Sequence, residues 1–369
     1  MQTYPLESMT LTEAKQLQFR LVDITTRYFR GQDILSQGDL GVVAEQNKPT
    51  TTLKVEQIIA DFFDSEAAVL VQGAGTAALR WGLYSVLQPG HSLLIHEAPI
   101  YPTTRVTIES MGLSLITADM NDLHKLEAVL DIQKPEAALV QYTRQKMEDH
   151  YNLADVVLSI RRKYPELPII TDDNYAALKV RRIGVQCGAD LSAFSLFKLL
   201  GPEGIGCVVG RRDLINKIVK ANYSGGGQVQ GHVALAALRG MIYAPVALAI
   251  QAEVNEELVK RLGAGEVPGI RKAFLANAQS KVLLVELEEP VAKAVIAAAE
   301  ELGAAPHPVG AESIYEFVPM FYRVSGTFLA ADPTLGDRMI RINPLRAGAD
   351  TVIRILGAAL SQVGGQGGR

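Results

Sequence analysis

The chain has 369 residues, of which 48% are hydrophobic and 21% charged, with a formal net charge of −4. This length predicts a large domain with a smaller companion, and the acidic balance lacks the basic footprint of a protein that binds nucleic acid or an anionic membrane. The two cysteines, Cys187 and Cys207, form no disulfide framework and fit a cytoplasmic compartment, and the first ten residues lack the apolar run of a signal peptide.

Residues 1–45 precede the regular part of the chain, and we expect this N-terminal segment to pack on the smaller domain. Residues 46–250 alternate helical patterns with short apolar runs that are typical of strands covered on both faces. The large domain is therefore predicted to be α/β, with a mostly parallel seven-stranded sheet between helices. Its candidate strands are Ala67–Val71, Ser92–His96, Leu113–Thr117, Ala137–Tyr142, Pro168–Thr171, Leu191–Ser195 and Gly206–Gly210.

A glycine-rich break at 224–227 changes the pattern and leads into a long helical tract that ends near Leu262. The most apolar part of this tract is interrupted by Arg239 and Pro245 and is too short to span a bilayer. Val282–Glu286 and Met339–Asn343 are predicted strands of a smaller α+β domain over residues 251–369.

The segment Gly73-Ala74-Gly75-Thr76 lies between a predicted strand and a helix. Glycines let the backbone approach an anion, and the helix start offers N–H groups without partners, so the segment suits a phosphate. It also matches the dinucleotide pattern Gly-x-Gly-x-x-Ala, with Ala78 in the last position and Glu97 near the end of the next strand. A plain strand–helix turn is a further alternative.

Lys198 lies among the apolar residues of the segment 191–201. Burying a free ammonium is costly, so such a group loses its proton or forms a covalent bond, for example an imine with an aldehyde. The alternative is a lysine with a buried stem and a solvated head.

Asp172 follows an apolar strand and begins the run Asp172-Asp173-Asn174-Tyr175. A carboxylate there could keep a proton on a pyridine nitrogen, although Asp and Asn are also ordinary turn formers after a strand. Arg341, late in the chain, could bind a substrate carboxylate through two parallel N–H bonds or could lie on an exposed edge strand.

From about Asn47 to Gly231 the chain resembles the fold type I enzymes that depend on pyridoxal 5′-phosphate (PLP), the aminotransferase-like superfamily. Gln46–Thr50 with Val55-Glu56 is similar to the cystathionine synthase branch, Ser195–Gly204 to the selenocysteine synthase-like branch, and Ser224–Gln228 to the glycine loop of cysteine desulfurases. The order is that of one mechanism: phosphate loop, acid at a strand end, lysine 26 residues later and distal arginine.

The resemblance implies a role for each matching residue. Lys198 would carry PLP as a Schiff base, Asp172 would face the pyridine nitrogen, and Tyr101 would stack on the ring. Arg341 and Arg144 would contact the substrate. The implied cofactor-binding set is Gly73, Ala74, Gly75, Thr76, Tyr101, Gln145, Asp172, Tyr175, Ser195, Lys198 and Gly227. One departure is Phe197, which stands where relatives often have a threonine and implies the loss of a phosphate contact.

The sequence thus predicts a PLP-dependent enzyme that acts on an amino acid or related amine, as an aminotransferase-like enzyme or as a carbon–sulfur or carbon–nitrogen lyase. The alternatives are a Rossmann-type NAD(P) oxidoreductase that uses Gly73, Gly75 and Glu97, and a non-catalytic protein with the same fold. We expect no metal, nucleic acid or membrane partner. By analogy we expect a homodimer, in which the segment 224–228 reaches the phosphate of the partner subunit.

Overall fold

The structure is a computed structural model that describes residues 2–143, 146–276, 281–310 and 312–366. Its first sheet has seven strands: β1 (Ala67–Gln72), β2 (Ser92–His96), β3 (Ser114–Ala118), β4 (Ala137–Gln141), β5 (Ile169–Asp172), β6 (Leu191–Ser195) and β7 (Ile205–Gly210). The prediction of a mostly parallel seven-stranded sheet is confirmed, and each candidate strand overlaps one of these seven.

The strand order is β1-β7-β6-β5-β4-β2-β3, and β7 is antiparallel to both of its neighbours, whereas the paired strands from β6 to β3 are parallel. Because two antiparallel steps separate β1 from β6, these strands run in the same direction. The carboxyl ends of β1, β4, β5 and β6 therefore share one edge of the sheet, which is where ligands bind in such folds.

Helices cover both faces of this sheet. They are α1 (Leu11–Tyr28), α2 (Gly31–Ile34), α3 (Thr50–Phe62), α4 (Ala74–Val86), α5 (Pro102–Ser110), α6 (Leu123–Gln133), α7 (Leu153–Lys163), α8 (Arg212–Ala221) and α9 (Gly231–Gly263). Successive residues of β1 face opposite layers: Leu70 packs in the core with α1, α3 and α9, while Val69 and Val71 pack in the core with α4 and α8. Burial of both faces explains why these strands are continuously apolar.

Helix α1 begins with a capping box, in which Glu13 N donates to Thr10 Oγ1 and Thr10 N donates to Glu13 Oε2 at 2.8 Å. Its buried Leu21 and Ile24 belong to the core that α3 and α9 share with the large sheet. The expectation that the N-terminal segment packs on the smaller domain is therefore wrong for this helix. The segment before it does reach that domain, where Thr3 Oγ1 donates to the carbonyl of Leu275 at 2.6 Å.

Glu56 joins α3 to β1 inside the large domain. Its side chain is buried, with Oε2 2.6 Å from Lys48 Nζ and Oε1 accepting a hydrogen bond from Leu70 N at 2.9 Å. Burial raises the pKa of Glu56, and the Lys48 ammonium opposes that rise. This ion pair fixes the strand that leads into the glycine segment at residue 73.

Helix α9 passes from the large domain into the smaller one and contains Pro245. It contributes Leu235 and Leu248 to the first core and Leu258 and Leu262 to the second. By length and composition it could cross a membrane, but 56% of its most apolar window is buried inside the protein, as in a core helix. The predicted domain boundary at residue 250 falls within this helix.

The smaller domain is α+β, as predicted, with an antiparallel sheet of order β10-β11-β9-β8. Its strands are β8 (Ile270–Ala276), β9 (Val282–Leu287), β10 (Met320–Arg323) and β11 (Met339–Asn343), and its helices are α10 (Ala292–Glu301), α11 (Gly326–Ala331), α12 (Leu335–Arg338) and α13 (Ala349–Gln366). The sequence did not predict β8 or β10. The described residues also include three 3₁₀ turns, at Gly184–Cys187, Phe197–Leu199 and Gly225–Gly227.

Candidate active site

A cleft of about 630 Å³ lies at the carboxyl edge of the large sheet, and the smaller domain forms its opposite wall. Nine residues predicted for the site line it together: Ala74, Gly75, Thr76, Tyr101, Asp172, Tyr175, Ser195, Lys198 and Arg341. Gly73 and Gly227 are not among the described residues that line the cleft, and Arg144 and Gln145 lie outside the described residues.

Lys198 lies in the 3₁₀ turn that follows β6, so its backbone is fixed at the carboxyl edge of the sheet. Its Nζ is 3.7 Å from the centroid of the Tyr175 ring. Burial lowers the pKa of Lys198 to about 8, although the carboxylates of Asp172 and Glu312 oppose this change. The amine therefore becomes neutral at a lower pH than an exposed lysine, whose pKa is about 10.4.

Asp172 is the last residue of β5, and its carboxyl group is buried in the floor of the cleft. Oδ1 accepts hydrogen bonds from the backbone N and the Nδ2 of Asn174, at 3.1 and 2.8 Å. Burial raises the pKa of Asp172, while these hydrogen bonds and the Lys198 charge oppose the rise. A cationic ring nitrogen beside this carboxyl would favour its ionised form.

Asn174 connects three parts of the site. Besides its bonds to Asp172, its Oδ1 accepts a hydrogen bond from Ser195 N at 3.0 Å. A Cβ at Gly75 would lie only 2.2 Å from the same oxygen, so this position requires glycine. The sequence analysis assigned no role to Asn174, because an Asn after a strand is also an ordinary turn residue.

The glycine segment places two N–H groups at the start of α4. The N–H groups of Gly73 and Ala74 both donate to the carbonyl of Gly204, at 2.7 and 2.8 Å, so they shape the turn. The N–H groups of Gly75 and Thr76 follow in the first helical turn, where such groups lack partners within the helix and favour an anion.

Two buried polar atoms at the cleft lack hydrogen-bond partners within the described part of the chain: Ser195 Oγ and Arg341 Nη1. Arg341 is 6% exposed, its Nε donates to the carbonyl of Arg323 at 2.9 Å, and its Cζ lies 4.0 Å from the centroid of the Tyr322 ring. The alternative of an exposed edge-strand arginine is therefore wrong. Buried donors without partners indicate that the cleft accepts anionic groups, and the phosphate and carboxylate groups of PLP chemistry fit them.

The topology argues against the dinucleotide interpretation. In a Rossmann sheet the glycine-rich turn follows a central strand of a parallel sheet. Here it follows β1, which lies at the edge and pairs antiparallel with β7. In addition, the space beside Gly75 is filled by the Asn174 side chain.

Comparisons with known proteins agree with this geometry. Residues 29–241 match the family described as "Aminotransferase class-V", and residues 256–356 match "YhfS-like, C-terminal domain". The protein YhfS of Escherichia coli (strain K12) is 54% identical and covers 98% of this chain and 100% of its own length. The crystal structure of the PLP-dependent protein YhfS from Escherichia coli superposes with a TM-score of 0.96 over the same shares of both chains.

More distant structures share the fold. A carbon–sulfur lyase from Clostridium novyi is 15% identical with a TM-score of 0.73, and it covers 96% of this chain and 91% of its own. A methionine gamma lyase from Micromonospora echinospora is 16% identical with a TM-score of 0.73, and it covers 94% of this chain and 98% of its own.

Replacing Gly75 with Ala tests the contact with Asn174. The new Cβ would displace the Asn174 side chain and weaken its hold on both Asp172 and Ser195 N. We expect the affinity for PLP, measured by absorbance titration of the cofactor-free protein, to fall about tenfold or more, because charge-assisted hydrogen bonds contribute about 1.5–3 kcal/mol each. Gly263→Ala is the matched control, since nothing lies within 4 Å of its Cβ position. Equal affinities of the two variants would contradict the assignment.

Proposed function

Because the chain belongs to the aminotransferase class-V family, whose members depend on PLP, we propose that it binds PLP at Lys198 and acts on an α-amino acid in aminotransferase-like or lyase-like chemistry. The observation that carries the proposal is the convergence in one cleft of a lysine with a lowered pKa, a buried carboxyl and two buried donors without described partners. Neither a Rossmann-type oxidoreductase nor a plain strand–helix turn would need these four groups in one cleft.

Each of these groups has a defined task in this proposal. Lys198 Nζ attaches the cofactor, the N–H groups of Gly75 and Thr76 with Ser195 Oγ hold its phosphate, and Asp172 keeps a proton on the ring nitrogen. Bound PLP supplies an electron sink for the pair released when a bond to the substrate α-carbon breaks.

Lys198 also moves the proton in this proposal. Once the substrate amine has taken its place, Nζ is free to remove the α-proton, and its lowered pKa of about 8 lets it act as a base near neutral pH. Arg341 orients the substrate by binding its carboxylate with Nη1, a donor that lacks a partner in the described chain.

Borohydride reduction of the PLP-loaded protein, followed by peptide mapping, tests the attachment. We expect a reduced pyridoxyl group on the Lys198 peptide, together with loss of the visible cofactor absorbance in Lys198→Ala. The control is Lys125→Ala, whose side chain is exposed and should leave both signals unchanged. An adduct on a different lysine would refute the assignment, and a Lys198→Ala variant indistinguishable from the parent would favour the non-catalytic alternative.

Arg341→Lys tests the substrate class. Lysine keeps the charge but cannot form two parallel N–H bonds, so the apparent affinity for α-amino acids should fall by roughly 10- to 100-fold. Amines without the α-carboxylate should bind both proteins equally. The measurement is the change in cofactor absorbance on titration with each ligand, and Arg354→Lys, at an exposed position of α13, is the control. A parallel loss for both ligand classes would show that Arg341 does not select the carboxylate.

We also propose that the protein is a cytoplasmic homodimer. Its partner is a small-molecule amine, and it binds neither nucleic acid nor a membrane. Support for the dimer comes from exposed apolar side chains in the segment 35–43 and next to the glycine turn at 225–227. Leu35, Leu40 and Tyr223 are 84%, 75% and 71% exposed, and a Cβ at Gly225 would lie 3.4 Å from the side chain of Val42. Such exposed apolar clusters mark association surfaces.

Sedimentation of the full chain tests the dimer. The chain mass is 39.9 kDa, and we expect the parent to sediment at twice this mass. Leu40→Glu should shift the equilibrium toward the monomer, because a charge would be buried at the interface. Ile132→Glu, which alters a residue 76% exposed on α6, serves as the control. A monomeric parent would end this part of the proposal.

A further inference from the structure

Glu312 has a backbone conformation that is costly for its residue type. It lies between α10 and β10 in the small-domain segment 305–319, and its φ is 87°. This left-handed region is unfavourable for a residue with a Cβ, and its side chain is only 1% exposed. Such a residue persists only where its contacts offset the cost, so the carboxylate itself is the feature to explain.

The carboxylate of Glu312 joins the smaller domain to the rest of the chain. Oε2 forms a buried ion pair with Lys179 Nζ, and Oε1 accepts a hydrogen bond from Gln251 Nε2 at 2.8 Å. Gln251 Oε1 in turn accepts one from Arg346 Nη1 at 3.3 Å. Lys179 follows β5 in the large domain and Gln251 belongs to α9, so one side chain connects three elements.

Lys179 of this ion pair and Lys198 both lie near the Tyr175 ring. Lys179 Nζ is 5.4 Å and Lys198 Nζ is 3.7 Å from the centroid of the Tyr175 ring, so the two nitrogens are no further apart than the sum of these distances. The segment that carries Glu312 also packs on the residue before Lys198, since a Cβ at Gly310 would lie 2.4 Å from the Phe197 ring.

The charged groups around Lys198 act in both directions. Burial lowers its pKa, the carboxylates of Asp172 and Glu312 raise it, and the ammonium of Lys179 lowers it further. Tyr175 is kept neutral there, because burial raises the pKa of its hydroxyl. Glu312 itself faces the positive charge of Lys179 and, through Gln251, that of Arg346. Burial lowers the pKa of both Lys179 and Arg346, and the Glu312 carboxylate opposes the change in each case. Tyr322 also faces this carboxylate, and burial raises its pKa. Glu316 of the same segment adds a second negative charge near Tyr322 and Arg346.

We infer that Lys179 and Glu312 are positioning residues for Lys198: as a buried ion pair they oppose each other's field at Nζ, and this balance sets the pH at which the amine gains and loses its proton. The inference rests on the proposed function in one respect, that this amine is the attachment point of the cofactor. It also gives the strained backbone at Glu312 a physical reason, because a glycine there could not supply the charge.

The test is a titration of Lys198 in the full-length protein after hydroxylamine has taken the cofactor aldehyde as an oxime and dialysis has removed it. Brief labelling with acetic anhydride at each pH, with mass spectrometry of the Lys198 peptide, gives the pH at which the amine becomes reactive. In Glu312→Gln a carboxylate that raises the pKa of Lys198 is gone, so we expect the midpoint to fall by about one pH unit. In Lys179→Met the ammonium that lowers the pKa of Lys198 is gone, so the midpoint should rise above that of the parent.

The opposite directions distinguish this role from a structural one. Both single variants lose the same contact between domains, so a purely structural role predicts shifts of the same sign or none, and either result would overturn the inference. The double variant Lys179→Met with Glu312→Gln, which removes both charges of this ion pair, should titrate near the parent and covers the case in which a single variant fails to fold. Asp131→Asn and Lys163→Met, which break an exposed pair, should leave the midpoint unchanged.

Failure of the proposed function would look different. A pyridoxyl adduct on another lysine would refute the cofactor site without moving the Lys198 titration. An unchanged titration in all variants would refute the inference and leave the adduct at Lys198 in place.

Discussion

The site depends on one side chain, Asn174, at which three separate segments meet. It donates to the carboxyl of Asp172, accepts from the backbone of Ser195 and occupies the space that a side chain at Gly75 would need. Hydrogen bonds and one close contact thereby hold Asp172, the glycine turn and the end of β6, which leads to Lys198, in a fixed arrangement. A longer or apolar residue at position 174 would lose these hydrogen bonds and change the space beside Gly75.

The charged groups in the cleft stabilise one another although most of them are buried. Asp172 is buried and Lys198 is half-buried, and burial favours the neutral form of each group. Opposite charges nearby limit these shifts: Lys198 for Asp172, and both Asp172 and Glu312 for Lys198. Groups with shifted pKa values and buried polar atoms that lack described partners destabilise the protein when no ligand is bound. A ligand of complementary charge would remove part of this cost by pairing with them.

Strands buried on both faces were predictable from the sequence. Because both faces of such a strand pack against apolar layers, its run of Val, Ile, Leu and Ala is continuous. Two strands of the smaller sheet were not. β8 (Ile270–Ala276) lies at an edge and carries Arg271 and Lys272, while β10 (Met320–Arg323) is a four-residue edge strand. Edge position and shortness remove the alternation on which the prediction depends. For α1, the amphipathic pattern shows that one face is buried but not which domain buries it.

The sequence by itself determined the chemical groups and their order along the chain: a glycine turn, an acid at a strand end, a lysine in an apolar segment and a late arginine. These follow from local physics, since strand ends, helix starts and buried charges all have sequence signatures. Only the tertiary structure decided which donors at the cleft lack partners, that Asn174 requires Gly75, and that Glu312 and Lys179 meet beside Lys198. Those contacts join residues up to about 130 positions apart, and no local pattern records them because they depend on how two domains pack.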